Sequence, residues 1–184
     1  MHENRRKCEI LKLVHTDVCG PMQTRSLGGA YCFPISIDDS TRYTWVYFIR
    51  NKSDVFEYFK EFKSMVEKHK GKSIKILRSE SRDFIKYCKQ NGIMQQFTVP
   101  HTPQQNGVAK RKNRTLVECA RSMLKSKGLS NSFCDESINT AVYLKNRNPT
   151  KYLEHKTPFE AFYGFKPKIS HLRIFGCKAL CSYS

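Results

Sequence analysis

Long apolar runs are missing from this sequence. Nothing in the 184 residues approaches the ~18 consecutive apolar residues that a membrane span needs, and the polar opening MHENRRKCEI has no signal-peptide core. A soluble protein without a membrane partner is expected. CxxC pairs are missing too, although eight cysteines stand at positions 8, 19, 32, 88, 119, 134, 177 and 181. Cys177 and Cys181 have His171 nearby but no second ligand cluster, so reduced, buried thiols of an intracellular protein are expected rather than a zinc site. There is no internal repeat and no low-complexity tract. Acidic residues are scarce: 16 Asp and Glu stand against 33 Lys and Arg, giving a formal charge of +17. That excess implies a polyanionic partner, of which nucleic acid is the commonest, and gives no reason to expect a small-molecule substrate.

What is present patterns as a mixed α/β chain of single-domain size, and 39% hydrophobic residues suffice for a core. LKLVHTDV, starting at Leu11, alternates apolar and polar residues as a half-buried strand does, with Asp17 at its C-terminal end. AYCFPISIDD and RYTWVYFIR, parted by the break DDST, predict an antiparallel hairpin in which Tyr43, Trp45, Tyr47 and Phe48 are packing residues. Pro34 interrupts the first of these runs and has no N–H for the ladder, so a bulge is expected there.

A helix is predicted from Ser53, as its N-cap, to about His69, with Val55, Phe59, Phe62 and Val66 on the buried side. SIKILRS predicts a fourth strand, residues 82–91 a short helix, and MQQFTV a fifth strand. Past Pro103 a helix carries Leu116, Cys119, Ala120, Met123 and Leu124 on one stripe and stops at Gly128. Ser132 and Asp135 resemble a capping box for one more helix, to about Asn146, and beyond Pro149 the chain is turn-rich with no predicted element.

Four strings occur in one order: LVHTDVCGPM, IDDSTRYTWVYF, TVPHTPQQNGVAKRKNRTL and HLRIFGC. On these strings the chain resembles the integrases of copia-type retrotransposons over residues 11–181, and TPQQNGVA is highly specific. The resemblance implies a ribonuclease H-like α/β fold: a five-stranded mixed sheet with a leading three-stranded antiparallel meander, flanked by helices. It implies a catalytic core over residues 11–150, extended over 151–184. Residues 1–10 offer only His2 and Cys8 toward the family's His/His/Cys/Cys zinc module, and are expected to be a remnant without it.

The resemblance also implies DNA integration by a DDE-type polynucleotidyl transferase, with DNA as partner, self-association and a nuclear place of work. In that chemistry two Asp and one Glu hold Mg²⁺ or Mn²⁺ for in-line attack on a phosphodiester, because hard cations need several carboxylates converging from separate elements. Asp17 in HTDVCG matches the first Asp. The second belongs to a string like SDNGGEY, whereas here LRS is followed by Glu80, Ser81, Arg82 and Asp83, with residues missing. Glu80 either takes the slot of that Asp or is what remains of the Glu farther along the string. Asp83 is a nearby alternative that also suits the cap of the next helix.

The third carboxylate is the Glu of QQNGVAERKNRT, and here its position is Lys110. The sign of the charge is reversed, so metal binding is expected to be impaired in this copy. Glu118 lies about two helical turns farther on, ~12 Å away, too far to substitute. Gln104, Gln105, Asn106, Lys110, Arg111, Lys112 and Arg114 gather phosphate-seeking side chains at a helix start, where the dipole also favours anions. They are the expected DNA-binding surface. The chain is thus expected to be a degenerate integrase core, or a non-catalytic DNA-binding or interaction module derived from the element.

Overall fold

The computed structural model describes residues 9–97 and 107–178. The alternating segments form β1 (Leu13–Cys19), β2 (Phe33–Asp38), β3 (Thr44–Val46), β4 (Ile76–Ser79) and β5 (Met94–Phe97). The helices are α1 (Val55–Lys70), α2 (Ile85–Gln90), α3 (Gly107–Ser126), α4 (Cys134–Arg147) and α5 (Pro158–Tyr163). The strands join in one sheet of order β3-β2-β1-β4-β5. The pairs β1–β2 and β2–β3 are antiparallel, while β1–β4 and β4–β5 are parallel. This is the expected mixed sheet with its leading meander. Thr98 and Val99, the end of the expected fifth strand, lie outside the described residues.

Successive strand residues face opposite sides of a sheet, and each side has its own core. Val14 and Leu77 meet Phe59, Phe62 and Val66 of α1, with Phe84 and Cys88 beside them. Phe33, Ile35 and Ile37 of β2 meet Leu116 and Ala120 of α3 and Ile138, Ala141 and Val142 of α4. Each large side chain so buried contributes about 1.5–3 kcal/mol. Alternation along β1 sends Val14 into the first core and leaves Asp17 on the α3 side. Gly128, at φ +61, ends α3 where the sequence places its stop.

The turn between β2 and β3 is built on a buried carboxylate. Asp38 is fully buried; its Oδ1 accepts from the Leu11 N–H (2.8 Å) and its Oδ2 from the Thr41 N–H (2.9 Å) and from the Thr41 (2.6 Å) and Ser40 (2.7 Å) hydroxyls. Those donors offset the cost of taking the charge out of water. At the outer side of β3, the Asn146 side chain accepts from the Thr44 N–H (3.0 Å) and donates to the Thr44 carbonyl (2.8 Å).

Pro34 requires no bulge. The Tyr47 N–H donates to the Pro34 carbonyl (3.1 Å), so the proline nitrogen also faces β3, and the bond that it cannot return is one to Tyr47. Strand β3 accordingly ends at Val46, and the same register resumes at the Cys32–Ile49 bridge with no extra residue. The missing donor costs one rung beside a short edge strand, while Pro34 keeps its place opposite Val18 of β1.

Two caps differ from expectation. Ser53 does not cap α1; a 3-10 turn, Lys52–Asp54, precedes the helix, and the Asp54 carboxylate accepts from the Asn51 N–H (3.2 Å) and the Ser53 hydroxyl (3.1 Å). Before α4 the capping residue is Ser130 rather than Ser132: its Oγ accepts from the Ser132 N–H (3.2 Å) and hydroxyl (3.0 Å), opening the turn Asn131–Phe133.

The turn-rich tail contains α5. Thr157 accepts from the Glu160 N–H (2.9 Å), and Pro158 takes the first helical position, which has no use for its missing donor. Phe162 then enters the first core, stacked on Tyr43 (ring centroids 5.0 Å apart) and edge-on to Trp45 (5.1 Å), while the Lys70 ammonium donates to the Phe162 carbonyl. The six cysteines among the described residues are free thiols, and His171 pairs with the Tyr143 hydroxyl (2.7 Å). Cys181 lies outside the described residues. No helix among the described residues is long and apolar enough to cross a membrane.

Candidate active site

Parallel pairing of β1 with β4 brings two distant carboxylates together. The register that sets His15 against Arg78 brings Asp17 level with Glu80 two residues farther along each segment. A cleft of about 270 Å³ opens between these ends, lined by Asp17, Glu80, Thr16, Ser79, Ser81 and Phe84 among others. The first turns of α3 cross its mouth. There the Lys110 ammonium lies 2.6 Å from Glu80 Oε1, and the Asn113 amide donates to Asp17 Oδ2 at 3.0 Å. Lys110 and Asn113, three residues apart, share one helical face, so a single helix addresses both carboxylates.

The electrostatics follow from these distances. Burial raises the Asp17 pKa above the usual carboxylate value, and the neighbouring Glu80 charge raises it further. The Val18 N–H, Asn113 and Lys110 act in the opposite direction. The hydrogen bond to Glu80 raises the Lys110 ammonium pKa, which stays above its ordinary value. Buried Asn113 Oδ1 has no hydrogen-bond partner among the described residues.

Asp17, Glu80 and Lys110 are therefore assembled at one place. Asp83 is not among the residues lining the cleft; its carboxylate accepts from the Ser81 hydroxyl (2.6 Å) in the turn before α2. Glu118 is exposed on α3, and it too is absent from the cleft lining. Of the expected DNA-binding residues, Arg111 and Arg114 are exposed and Lys112 is half-buried toward α4. Gln104, Gln105 and Asn106 lie outside the described residues.

Sequence reasoning missed Asn113. Its signal was the spacing of Lys110 and Asn113 in KRKN, which stacks the two on one face of any helix. The donor set does not match a two-ion centre. It offers two carboxylates, one engaged by an ammonium and the other by an amide, and no group of three His, Cys, Asp or Glu among the described residues is disposed to hold an ion.

No protein-family model matches the chain. It is 45% identical over 182 residues to the retrovirus-related Pol polyprotein from transposon TNT 1-94 of Nicotiana tabacum, covering 96% of this chain and 14% of that polyprotein. It is 36% identical over 149 residues to the Pol polyprotein from transposon RE2 of Arabidopsis thaliana, covering 79% of this chain and 10% of the relative. The chain thus spans only a small part of these relatives' length. Among solved structures it resembles the HTLV-2 integrase catalytic core domain in complex with magnesium (TM-score 0.61, 16% identity, 85% of this chain and 99% of that one). It also resembles a chain of the simian T-cell lymphotropic virus intasome in complex with PP2A regulatory subunit B56 gamma (TM-score 0.64, 12% identity, 94% of this chain and 60% of that one).

The sheet order and the carboxylates meeting at the ends of β1 and β4 define a ribonuclease H-like domain with the fold of integrase catalytic cores. With its sequence relatives, this chain belongs to the integrase core domains of retrotransposon Pol polyproteins.

Proposed function

We propose that this chain is an integrase core that holds DNA on the basic surface around the start of α3 and carries out little or no metal-dependent end processing or strand transfer. One observation carries the reading: the Lys110 ammonium sits 2.6 Å from Glu80, where the third carboxylate of the family would stand. It brings a positive charge to the mouth of the cleft on a covalent tether. A divalent cation would have to displace this ammonium and would gain no third ligand in exchange. The magnesium of the HTLV-2 core belongs to that protein; here Asp17 and Glu80 are the ligands that an Mg²⁺ or Mn²⁺ ion would find.

The basic surface does not depend on that centre. Exposed Arg111 and Arg114 project from the first turns of α3, with Gln104, Gln105 and Asn106 just ahead of them in sequence. Guanidinium groups suit phosphate oxygens in both geometry and charge. HTLV-2 cores have been solved in trimeric and dimeric forms, and self-association of this chain, with a nuclear place of work, belongs to the same proposal.

The test is a strand-transfer and 3′-processing assay on duplex DNA with Mg²⁺ or Mn²⁺, alongside binding measured by fluorescence anisotropy. Binding that weakens steeply with salt, and no product above that of Asp17→Ala, is the expected result. Product formation near the level of an intact relative, abolished by Asp17→Ala, would overturn the proposal.

A further inference from the structure

Two glutamines stand side by side in β5, and alternation turns them to opposite faces of the sheet. Gln96 Oε1 accepts from the Arg78 guanidinium, from Nε at 3.2 Å and from Nη2 at 2.7 Å. Gln95 faces the other way and reaches back to the end of β4. Its Nε2 donates to the Ser79 hydroxyl (3.0 Å) and to the Ser81 carbonyl (2.8 Å). Ser79 and Ser81 are the two neighbours of Glu80, so one amide grips both sides of the residue that carries the second carboxylate.

No other contact of the sheet does this. Pairing of β4 with β1 ends at Arg78 and with β5 at Ser79, so among the described residues Glu80 lies past the end of both ladders. Beyond it the segment is tied again: the Ser79 hydroxyl donates to the Ser81 carbonyl (3.3 Å), and the Ser81 hydroxyl donates to the Asp83 carboxylate (2.6 Å) while accepting from the Asp83 N–H (3.1 Å). With its neighbours fixed, Glu80 projects its side chain to the Lys110 ammonium at 2.6 Å.

The amide cannot be turned over. A carbonyl oxygen only accepts, so the atom facing Ser81 must be the donor Nε2. That leaves Gln95 Oε1 buried with no hydrogen-bond partner among the described residues. An orphaned buried carbonyl opposes folding, and an apolar side chain of similar length would fill the space without it. Packing alone thus gives no account of an amide at this position, whereas the two bonds that flank Glu80 do.

We propose that Gln95 is the positioning residue of this site: through Ser79 and Ser81 it aims Glu80 at Lys110 and brings it level with Asp17. The inference rests on the reading of Asp17, Glu80 and Lys110 as one altered centre. It requires neither DNA nor metal, and its test uses neither.

The experiment measures acylation of Lys110 by an amine-reactive ester at constant pH, mapped by mass spectrometry on the full chain and normalised to exposed Lys125 of the same helix. A paired ammonium is a poor nucleophile. Gln95→Met nearly keeps the side-chain length and removes the donors, and Lys110 is expected to react about two- to fivefold faster, the range that loss of an exposed ion pair allows. Glu80→Gln is expected to do the same. Gln95→Met added to Glu80→Gln is expected to change nothing further, because the amide acts through the carboxylate. A merely structural Gln95 would speed Lys110 equally in both backgrounds or in neither, and either result overturns the inference.

Failure of the two readings is separable. If Glu80→Gln speeds Lys110 and Gln95→Met does not, the centre stands and this inference alone falls; if Glu80→Gln leaves the rate unchanged, the ion pair and both readings fall together. Should Gln95→Met not fold, Ser79→Ala removes one of the two flanking bonds and is expected to raise the rate in the same direction by a smaller factor. No rise in that variant also overturns the inference.

Discussion

Replacing Lys110 by Glu restores the charge that the family carries, and its effect can be worked from the geometry. In wild type the ammonium lies 2.6 Å from Glu80, with the two side chains 56% and 46% exposed. A pair so open to water contributes at most about 1 kcal/mol, so losing it matters little. The new carboxylate, however, joins Glu80 and the half-buried Asp17. Two like charges at ~4 Å repel by about 1 kcal/mol in water and by about 4 kcal/mol at an effective dielectric of 20.

The metal-free variant is therefore expected to lose about 2–4 kcal/mol, or roughly 5–15 °C in Tm for a chain of this length. Mg²⁺ or Mn²⁺ at a hundred times its Kd returns about 2.7 kcal/mol by mass action. The assay is a thermal melt followed by circular dichroism across a metal titration at constant ionic strength. Wild type is expected to stay flat while Lys110→Glu climbs. A wild-type rise as large as the variant's, or a variant indifferent to metal, would refute the argument that the ammonium keeps the ion out.

Three further outcomes follow from the same structure. Lys112→Met is expected to stabilise the fold by about 1–3 kcal/mol at pH 7. The folded ammonium titrates near 8 against about 10.5 unfolded, so wild type recovers the difference as pH rises between those values, and urea melts should show the variant's advantage shrinking there. Asp17→Asn is expected to melt higher than wild type at neutral pH: the folded Asp17 pKa lies above its unfolded value, so wild-type stability falls as pH rises through that interval, and the two Tm curves should meet below pH ~3.8. Asp38→Ala strands the Leu11 and Thr41 N–H groups and is expected to cost about 3–5 kcal/mol, read as a fall in the urea midpoint.

Much of the fold was legible because its periods are local. Alternation in LVHTDVC and the stripe from Leu116 to Leu124 state strand and helix within a few residues. What escaped depends on distant partners. Helix α5 has six residues and is secured by Phe162 against Tyr43 and Trp45, more than a hundred positions away. Pro34 is tolerated because its nitrogen faces β3, which follows from register and not from composition. The caps were misplaced because a 3-10 turn precedes each helix, Lys52–Asp54 before α1 and Asn131–Phe133 before α4, and moves the capping bonds upstream.

The site divides in the same way. Asp17 and Lys110 could be identified from the motif strings, but their meeting with Glu80 required the parallel β1–β4 pairing. The spread of Lys110 and Lys112 around α3 was available from helical geometry, yet their adjacency in sequence grouped them.

Asn146 occupies both outward-facing groups of Thr44, and Pro34 has already stopped β3 after three residues. An incoming extended segment would have to evict that amide before pairing at Thr44. Strand addition there therefore competes with a side chain already in place.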